Sequence, residues 1–503
     1  MNDILTEIIE KRRADIEKLG PDFGTALPQK RSRPVHPFLK DRGVILEVKR
    51  ASPSKGDISP DLDSYQTALS YSKSGARAIS CLTEQNYFKG SLSDLMNVCL
   101  AVDDFESETH SPAPAVLRKD FLLSPDEIEI SYRAGADAVL LIARILDCET
   151  FLEMARAVEK FKMSALIEIR SEDDLDKLKF VMDKVRGKNF ICGVNSRNLS
   201  NFKIDLLRPC MMIEKIQSIM GDNAKIIFES GVTKCECAKV VGSLGFSGLL
   251  LGEAAAKNPY MRKSLVESFM EAKPNRNAEF WKNYARSVDR TPKIKICGIT
   301  RIEDAVLAYN LGAGFLGFIF SHAFPRSVSH DGRLKKLLPG LKILKTKKVA
   351  VITETESEES KTAVQLVSDG TFDVLQFHNI PYEKIPAELL ELPHYFAVKS
   401  MQEYESLFER GEMRILLDLH GSGGLSDNDL DMDANNATCC DTKAMWIAGG
   451  INPMNICDVH KKFRCELIDV SSGIENEGEI GIKNEEKMRS LFLLTEGLFR
   501  AKL

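Results

Sequence analysis

Eight short apolar runs recur between Val44 and Leu251, and eight more between Lys293 and Val470, each followed by a helix-prone segment or a turn. In the first set they are Val44–Lys49, Ala78–Thr83, Ala115–Arg118, Ala138–Ile142, Ala165–Ile169, Phe190–Val194, Lys225–Phe228 and Gly248–Leu251. In the second they are Lys293–Ile296, Phe315–Ile319, Lys348–Ile352, Val374–Gln376, Tyr395–Val398, Ile415–Leu417, Met445–Ile447 and Leu467–Val470. Runs this short and this apolar suit strands of a parallel sheet, buried on both faces. Eight strand–helix repeats in roughly 230 residues, and again in about 210, predict an α/β chain of two consecutive (β/α)8 TIM barrels rather than open doubly wound sheets. The first strand is not followed by G-x-G-x-x-G, which argues against dinucleotide binding. The expected boundaries are 1–270 for the first barrel, 271–292 for a linker and 293–503 for the second. Phe280, Trp281 and Tyr284 in the linker should pack against a domain rather than bind a ligand. Ahead of the first strand, Ile4, Leu5, Ile8, Ile9, Ile16 and Leu19 form a helical stripe.

Composition excludes several classes. A net charge of -5 offers no basic field for nucleic acid. No apolar run reaches membrane-spanning length, and Met1 to Gly20 is too charged for a signal peptide. The 12 cysteines show neither paired C-x-x-C motifs nor zinc spacing, so no metal is expected and free thiols in a reducing cytoplasm are the simplest account.

Polar residues gather where the strands end. Glu47 and Lys49 lie two apart, so both point to one face, which in a barrel is the interior. Lys119 follows the third strand, Glu168 closes the fifth, Asn195 and Arg197 follow the sixth, and Glu229 follows the seventh. A charged residue after a strand is ordinarily a solvated one. Together with Gly252-Glu253 after the eighth, six strand ends carrying polar groups make the pattern of an active-site face. Ser230-Gly231 and Gly252-Glu253 follow strands seven and eight, where such barrels often bind phosphate. Taken singly, each glycine reads as no more than a turn.

Glu-Val-Lys-Arg-Ala-Ser-Pro-Ser-Lys-Gly, Leu-Arg-Lys-Asp-Phe, Leu-Ile-Glu-Ile, Gly-Val-Asn-Ser-Arg-Asn-Leu and Glu-Ser-Gly, in that order over about residues 1–270, resemble indole-3-glycerol phosphate synthase. The resemblance implies ring closure, decarboxylation and dehydration of a carboxyphenylamino deoxyribulose phosphate. It implies Lys119 as general acid, Lys49 on the substrate carboxylate, Glu168 as base in dehydration and Glu47 holding the lysines. It further implies that Asn195 and Arg197 orient the substrate, that Glu229 supports hydroxyls and lysines, and that Ser52, Ser230, Gly231, Gly252 and the backbone N–H of Glu253 surround phosphate.

In the second half Cys297 follows the first strand and Asp418 the sixth. A buried cysteine is usually an inert small hydrophobe. Its place at a strand end of the same face as a carboxylic acid makes an acid–base pair suited to isomerising a sugar phosphate. Lys-Ile-Cys-Gly-Ile-Thr, Phe-Pro-Arg-Ser-Val-Ser, Val-Leu-Gln-Phe-His, Leu-Leu-Asp, Ala-Gly-Gly-Ile-Asn-Pro and Asp-Val-Ser-Ser-Gly-Ile-Glu resemble phosphoribosylanthranilate isomerase over about residues 293–503. The resemblance implies an Amadori rearrangement in which Asp418 protonates the ring oxygen and Cys297 takes the proton from C2. Arg326 would bind the anthranilate carboxylate and Asp469 the sugar hydroxyls, with Gln376 and His378 also on the substrate. Gly449, Gly450, Ser472 and Gly473 would bind phosphate. Two positions depart from the family: Asn379 stands where glycine is usual, and His420 interrupts the glycine-rich stretch after Asp418.

The second barrel's product would be the first barrel's substrate, which suggests two consecutive steps of tryptophan biosynthesis. The expected partners are small phosphate esters, with no cofactor, and because each barrel is complete the chain is expected as a monomer. One working barrel, or a phosphate-binding regulator on a barrel scaffold, are the alternatives. A regulator would not need Lys49, Lys119, Glu168, Cys297 and Asp418, since binding alone requires no acids or bases.

Overall fold

The computed structural model describes residues 4–53, 55–198, 202–288, 291–419 and 445–500, the last five as backbone only. It divides into two compact units, Met1–Pro274 and Asn275–Leu503. In the first, β1 (Gly43–Val48), β2 (Ala78–Leu82), β3 (Ala115–Lys119), β4 (Ala138–Ile142), β5 (Ser164–Ile169), β6 (Phe190–Asn195), β7 (Ile226–Glu229) and β8 (Gly248–Leu251) form a closed barrel in sequence order. Every pairing is parallel, and β1 closes the ring with Gly43 opposite Gly248 and Leu46 opposite Leu251. Each observed strand lies within a residue of its expected position at either end, because the apolar runs are bounded by turns.

Strand alternation sorts the side chains. Ile45, Leu117, Leu140, Leu166, Ile191, Ile227 and Leu250 fill the barrel interior above Phe38 and Leu39. On β3, Leu117 and Lys119 share one side, so Arg118 between them goes to the other, where it is fully buried. There Arg118 Nη2 meets Asp120 at 3.1 Å, and its Nη1 donates to Ser131 Oγ of α2 (Asp126–Arg133). Arg12 of α1 (Ile4–Leu19) pairs with Asp120 at 2.7 Å and with Glu127. The expected apolar stripe of α1 is narrower than its sequence suggests. Leu5 and Ile8 are buried, Leu19 is 47 % exposed, and the next place on the buried face goes to Arg12. That charge is tolerated there because two carboxylates meet it.

The second unit repeats the plan with β9 (Lys293–Ile296), β10 (Phe315–Ile319), β11 (Lys347–Ile352), β12 (Val374–His378), β13 (His394–Val398), β14 (Ile415–Asp418), β15 (Trp446–Ala448) and β16 (Leu467–Val470). It closes through Lys293 opposite Leu467 and Lys295 opposite Asp469. The two closed rings give two consecutive TIM barrels. Residues 271–292 contain helix α3 (Arg276–Ala285), which lies inside the second unit. Trp281 and Tyr284 are buried and stack among Phe280, Phe315 and Trp446. Tyr284 Oη donates to Glu466 Oε1 at 2.7 Å, and Trp446 Nε1 and the Arg414 fork donate to the same carboxylate.

Asn379, where the resembled family has glycine, adopts φ 55° and donates its N–H to Ala397 O. The position therefore needs a left-handed residue, and asparagine is among the side chains that enter that region most readily. His420 and the loop after it lie outside the described residues. Among those described, no helix is long and apolar enough to cross a membrane.

Arg12→Ala would leave Asp120 and Glu127 buried with Arg118 as the one close cation among the described residues. The first unit should lose about 3–5 kcal/mol. Both tryptophans lie in the second unit, so urea unfolding followed by far-UV circular dichroism should show an early transition that tryptophan fluorescence does not.

Candidate active sites

In the first barrel the inward residues at the C-terminal strand ends form one charge cluster. Lys49 Nζ lies 2.8 Å from Glu47 Oε1, and Lys119 Nζ lies 3.3 Å from Glu47 Oε2 and 3.1 Å from Glu229 Oε2. Glu47 and Glu229 are almost wholly buried, while both lysines keep a small exposed tip. Burial alone would raise the Glu47 carboxyl, but Lys49 and Lys119 outweigh it and hold it down to about 2. Burial disfavours the Lys119 ammonium, but Glu229, Glu47 and Glu168 more than reverse this and raise it. Glu229 is raised, by burial first and by Glu168 and Glu47, against the pull of Lys119. Glu47 is thus held as an anion and Lys119 as a cation, while Glu229 is the carboxyl of the cluster that most readily takes a proton.

Gly252 is required here by space. A Cβ on it would stand 2.7 Å from Glu47 Oε1 and 2.8 Å from Lys49 Nζ. It caps the five-residue helix Glu253–Lys257, so the expected phosphate loop is also the wall of the Glu47–Lys49 pair. Glu253 itself turns to Lys257 at 2.8 Å. Ser230 and Gly231 form the turn after β7, both at positive φ, and Ser230 O accepts from Ser196 Oγ. Asn195 Oδ1 accepts from the Arg197 backbone N–H at 2.9 Å. The Arg197 guanidinium reaches Phe202 O, and burial lowers it while Glu253 opposes. Ser52 lies in a two-stranded hairpin, Ala51–Ser52 against Gly56–Asp57. Arg50 pins that loop through a bidentate pair with Asp94, both contacts 2.8 Å.

Sequence reasoning missed Arg170. It lies two residues beyond Glu168, as Lys49 does beyond Glu47, and its guanidinium grips the Glu168 carboxylate. The same i, i+2 spacing that picked out Lys49 would have found it.

In the second barrel a cavity of about 270 Å³ is lined by Cys297, Arg326, Gln376, His378, Asp418 and Asp469, with Gly449, Gly450 and Ser472 at its phosphate-loop side. Gly473 sits behind them in the turn Ser472–Ile474. His378 Nε2 is 4.0 Å from Asp418 Oδ2, and its Nδ1 is 3.3 Å from Gln376 Nε2. Burial, helped by Lys295 and Lys399, lowers the imidazole against the pull of Asp418. Asp469 gives Oδ2 to Lys295 at 2.5 Å, while its buried Oδ1 has no hydrogen-bond partner among the described residues. Arg326 forms a two-point pair with Glu475, 2.7 and 2.8 Å, and Lys483 Nζ shares the same carboxylate at 3.2 Å. Lys295, Glu475 and Lys483 were not singled out from sequence. Lys295 was hidden inside a strand, and the other two follow the last one.

The family model of indole-3-glycerol phosphate synthase matches residues 5–267. The chain belongs to the indole-3-glycerol phosphate synthase family. A second model, of N-(5'-phosphoribosyl)anthranilate isomerase, matches residues 294–493. The Desulforamulus reducens indole-3-glycerol phosphate synthase is 33% identical over 273 residues, 52% of this chain and 96% of that protein. The Yersinia pestis tryptophan biosynthesis protein TrpCF is 28% identical over 469 residues, 91% of this chain and 86% of its own. A Schizosaccharomyces pombe multifunctional tryptophan biosynthesis protein is 28% identical over 87% of this chain, which spans only 57% of that longer relative. A synthase domain followed by an isomerase domain is the organisation of a bifunctional tryptophan-biosynthesis enzyme.

Glu47→Gln tests the synthase cluster by pH. The folded carboxyl is depressed, so its contribution is present above the unfolded value near 4.3, and it is lost as pH falls toward about 2. Wild type should exceed Glu47→Gln in first-unit stability by up to about 3 kcal/mol at pH 7. That gap should narrow steadily below pH 5 in urea titrations of the two proteins. A constant gap from pH 7 to pH 3 would mean that Glu47 is not held as an anion.

Proposed function

We propose that the second barrel isomerises N-(5-phosphoribosyl)anthranilate to 1-(2-carboxyphenylamino)-1-deoxyribulose 5-phosphate. We propose that the first converts that product to indole-3-glycerol phosphate, with loss of carbon dioxide and water. The observation that carries this is the gathering, inside each closed ring, of acid and base groups contributed by several separate strands.

In the isomerase barrel Asp418 gives its proton to the furanose ring oxygen, the C1–O bond opens, and Cys297 removes the proton from C2. One proton is given and one taken, so the enolamine formed is an isomer of the substrate, and its tautomerisation, with a proton added at C1 and the C2 hydroxyl proton lost, gives the 2-ketose. Arg326, whose Nε and Nη2 hold Glu475, would turn its remaining N–H donors to the anthranilate carboxylate. The unpartnered Asp469 Oδ1 supports a role on the sugar hydroxyls, with Gln376 and His378 beside it in the same wall. In the synthase barrel Lys119 protonates the substrate carbonyl oxygen as the aromatic carbon attacks. Lys49 holds the carboxylate that leaves as carbon dioxide, and Glu168 takes a proton as the hydroxyl departs. Glu47 and Glu229 offset the lysine charge, and Asn195 and Arg197 orient the substrate.

Phosphate anchors complete the reading: Ser52, Ser230, Gly231, Gly252 and the Glu253 N–H in the first barrel, and Gly449, Gly450, Ser472 and Gly473 in the second. The reacting atoms lie several bonds from the ester, so a fixed anion lowers the entropic cost of alignment. The chain acts as a monomer in the cytoplasm, since each barrel closes on itself and the described cysteines are free thiols.

Lys119→Ala should cost the synthase at least ~100-fold in kcat and leave the isomerase unchanged, while Cys297→Ala and Asp418→Ala do the converse. Separate assays of the two reactions decide it, and parallel loss of both activities in a folded variant would argue against two independent sites. Gly450→Asp, which sets a carboxylate against the ester, should raise the isomerase KM by about tenfold or more with the synthase unaffected. An unchanged KM would remove that loop from phosphate binding.

A further inference from the structure

Lys295 lies two residues before Cys297, so both side chains enter the same barrel interior. It is fully buried. Its Nζ donates to Asp469 Oδ2 at 2.5 Å and to Gln376 Oε1 at 2.6 Å, and the Tyr395 hydroxyl donates to the same Gln376 oxygen at 2.7 Å. Gly317 on the neighbouring strand makes the room. A Cβ there would stand 2.6 Å from Cys297 Sγ and 3.0 Å from Lys295 Cε, so the thiol and the lysine stem crowd one spot. A cation is costly in such a place unless something needs it. The reading that Cys297 is the base names that need, and the inference rests on it: a thiolate forming in a buried site requires a positive neighbour.

We propose that Lys295 is a positioning residue of the isomerase barrel: its ammonium clamps Asp469 and Gln376 and serves as the counter-charge of the Cys297 thiolate. Several charged or titratable groups among the described residues act on Cys297. Lys295 stands on its own strand, Asp469 on β16, Tyr395 on β13, Arg326 after β10 and Lys483 in the hairpin that follows β16. Burial raises the thiol, Lys295 is the largest influence pulling it back, and Asp469 opposes Lys295. Lys483 and Arg326 share Glu475, which offsets one of their two charges, and Lys483 adds a smaller pull on the thiol in the same direction as Lys295. Lys295 has Asp469 as its close carboxylate, and that carboxylate keeps one oxygen for other work.

The test is the pH at which Cys297 becomes a thiolate, read as the midpoint of iodoacetamide alkylation followed by peptide mass spectrometry, so that the other cysteines do not interfere. In the full chain, Lys295→Met should raise that midpoint by about one unit or more, and the acid limb of isomerase kcat/KM should move with it. Lys295→Arg should restore both toward wild type. Lys295→Gln, which keeps a donor for Asp469 without the charge, gives the same reading should the methionine variant not fold. If the midpoint stays put while activity falls, Lys295 is only structural and the inference is overturned. If the midpoint moves but the acid limb does not, Cys297 is not the base of the isomerase, and the inference is overturned at that role although the electrostatics hold.

Discussion

Side chains two apart on a strand point the same way, and in a closed barrel one of those ways is the axis. Whatever charge the chain places at a strand end is therefore held among other strand ends, out of bulk water, and must be matched there. Glu47 shows the result. It stands between Lys49 and Lys119, two cations that would otherwise repel each other in a low-dielectric ring, and together they outweigh its burial and hold it as an anion. The same constraint acts in the second barrel with the signs exchanged, where the buried Lys295, on the strand that leads to Cys297, is held by Asp469. In each ring the first strand supplies a buried charge and, two residues on, a candidate site residue.

This geometry explains why so much was legible in advance. Barrel strands must be apolar on both faces except at the mouth, so the sixteen runs stood out and their ends named Glu47, Lys119, Glu229, Cys297 and Asp418. Period-two alternation also settles what to make of Arg118-Lys119-Asp120: Lys119 turns inward to chemistry, and its neighbours turn outward to a buried ion cluster with Arg12 and Glu127. That outward cluster was not legible, because Arg12 lies more than a hundred residues away and on a helix. Lys295 was missed for a different reason. A lysine inside a strand reads as an edge or a solvated tip until the partners from β12 and β16 are known. The departure at Asn379 was visible, but its meaning needed a backbone angle.

Fastening and chemistry occupy opposite ends of the second ring's strands. Catalytic candidates lie at the C-terminal ends, while Glu466, just before β16, gathers Arg414, Trp446 and Tyr284. Each of those donors is buried, and together they satisfy a carboxylate that would otherwise be stranded in an aromatic cluster.

Tyr284 belongs to a helix that precedes the first strand of its own barrel, which bears on how the isomerase half could ever be cut free. A gene fragment starting at Lys293 would encode every strand and every catalytic candidate. It would nevertheless expose the faces of Trp446 and Phe315 and deprive Glu466 of a donor. Recombination or engineering that splits the chain near Asn275 keeps the helix with its barrel. The natural seam is therefore some eighteen residues upstream of where the sheet begins.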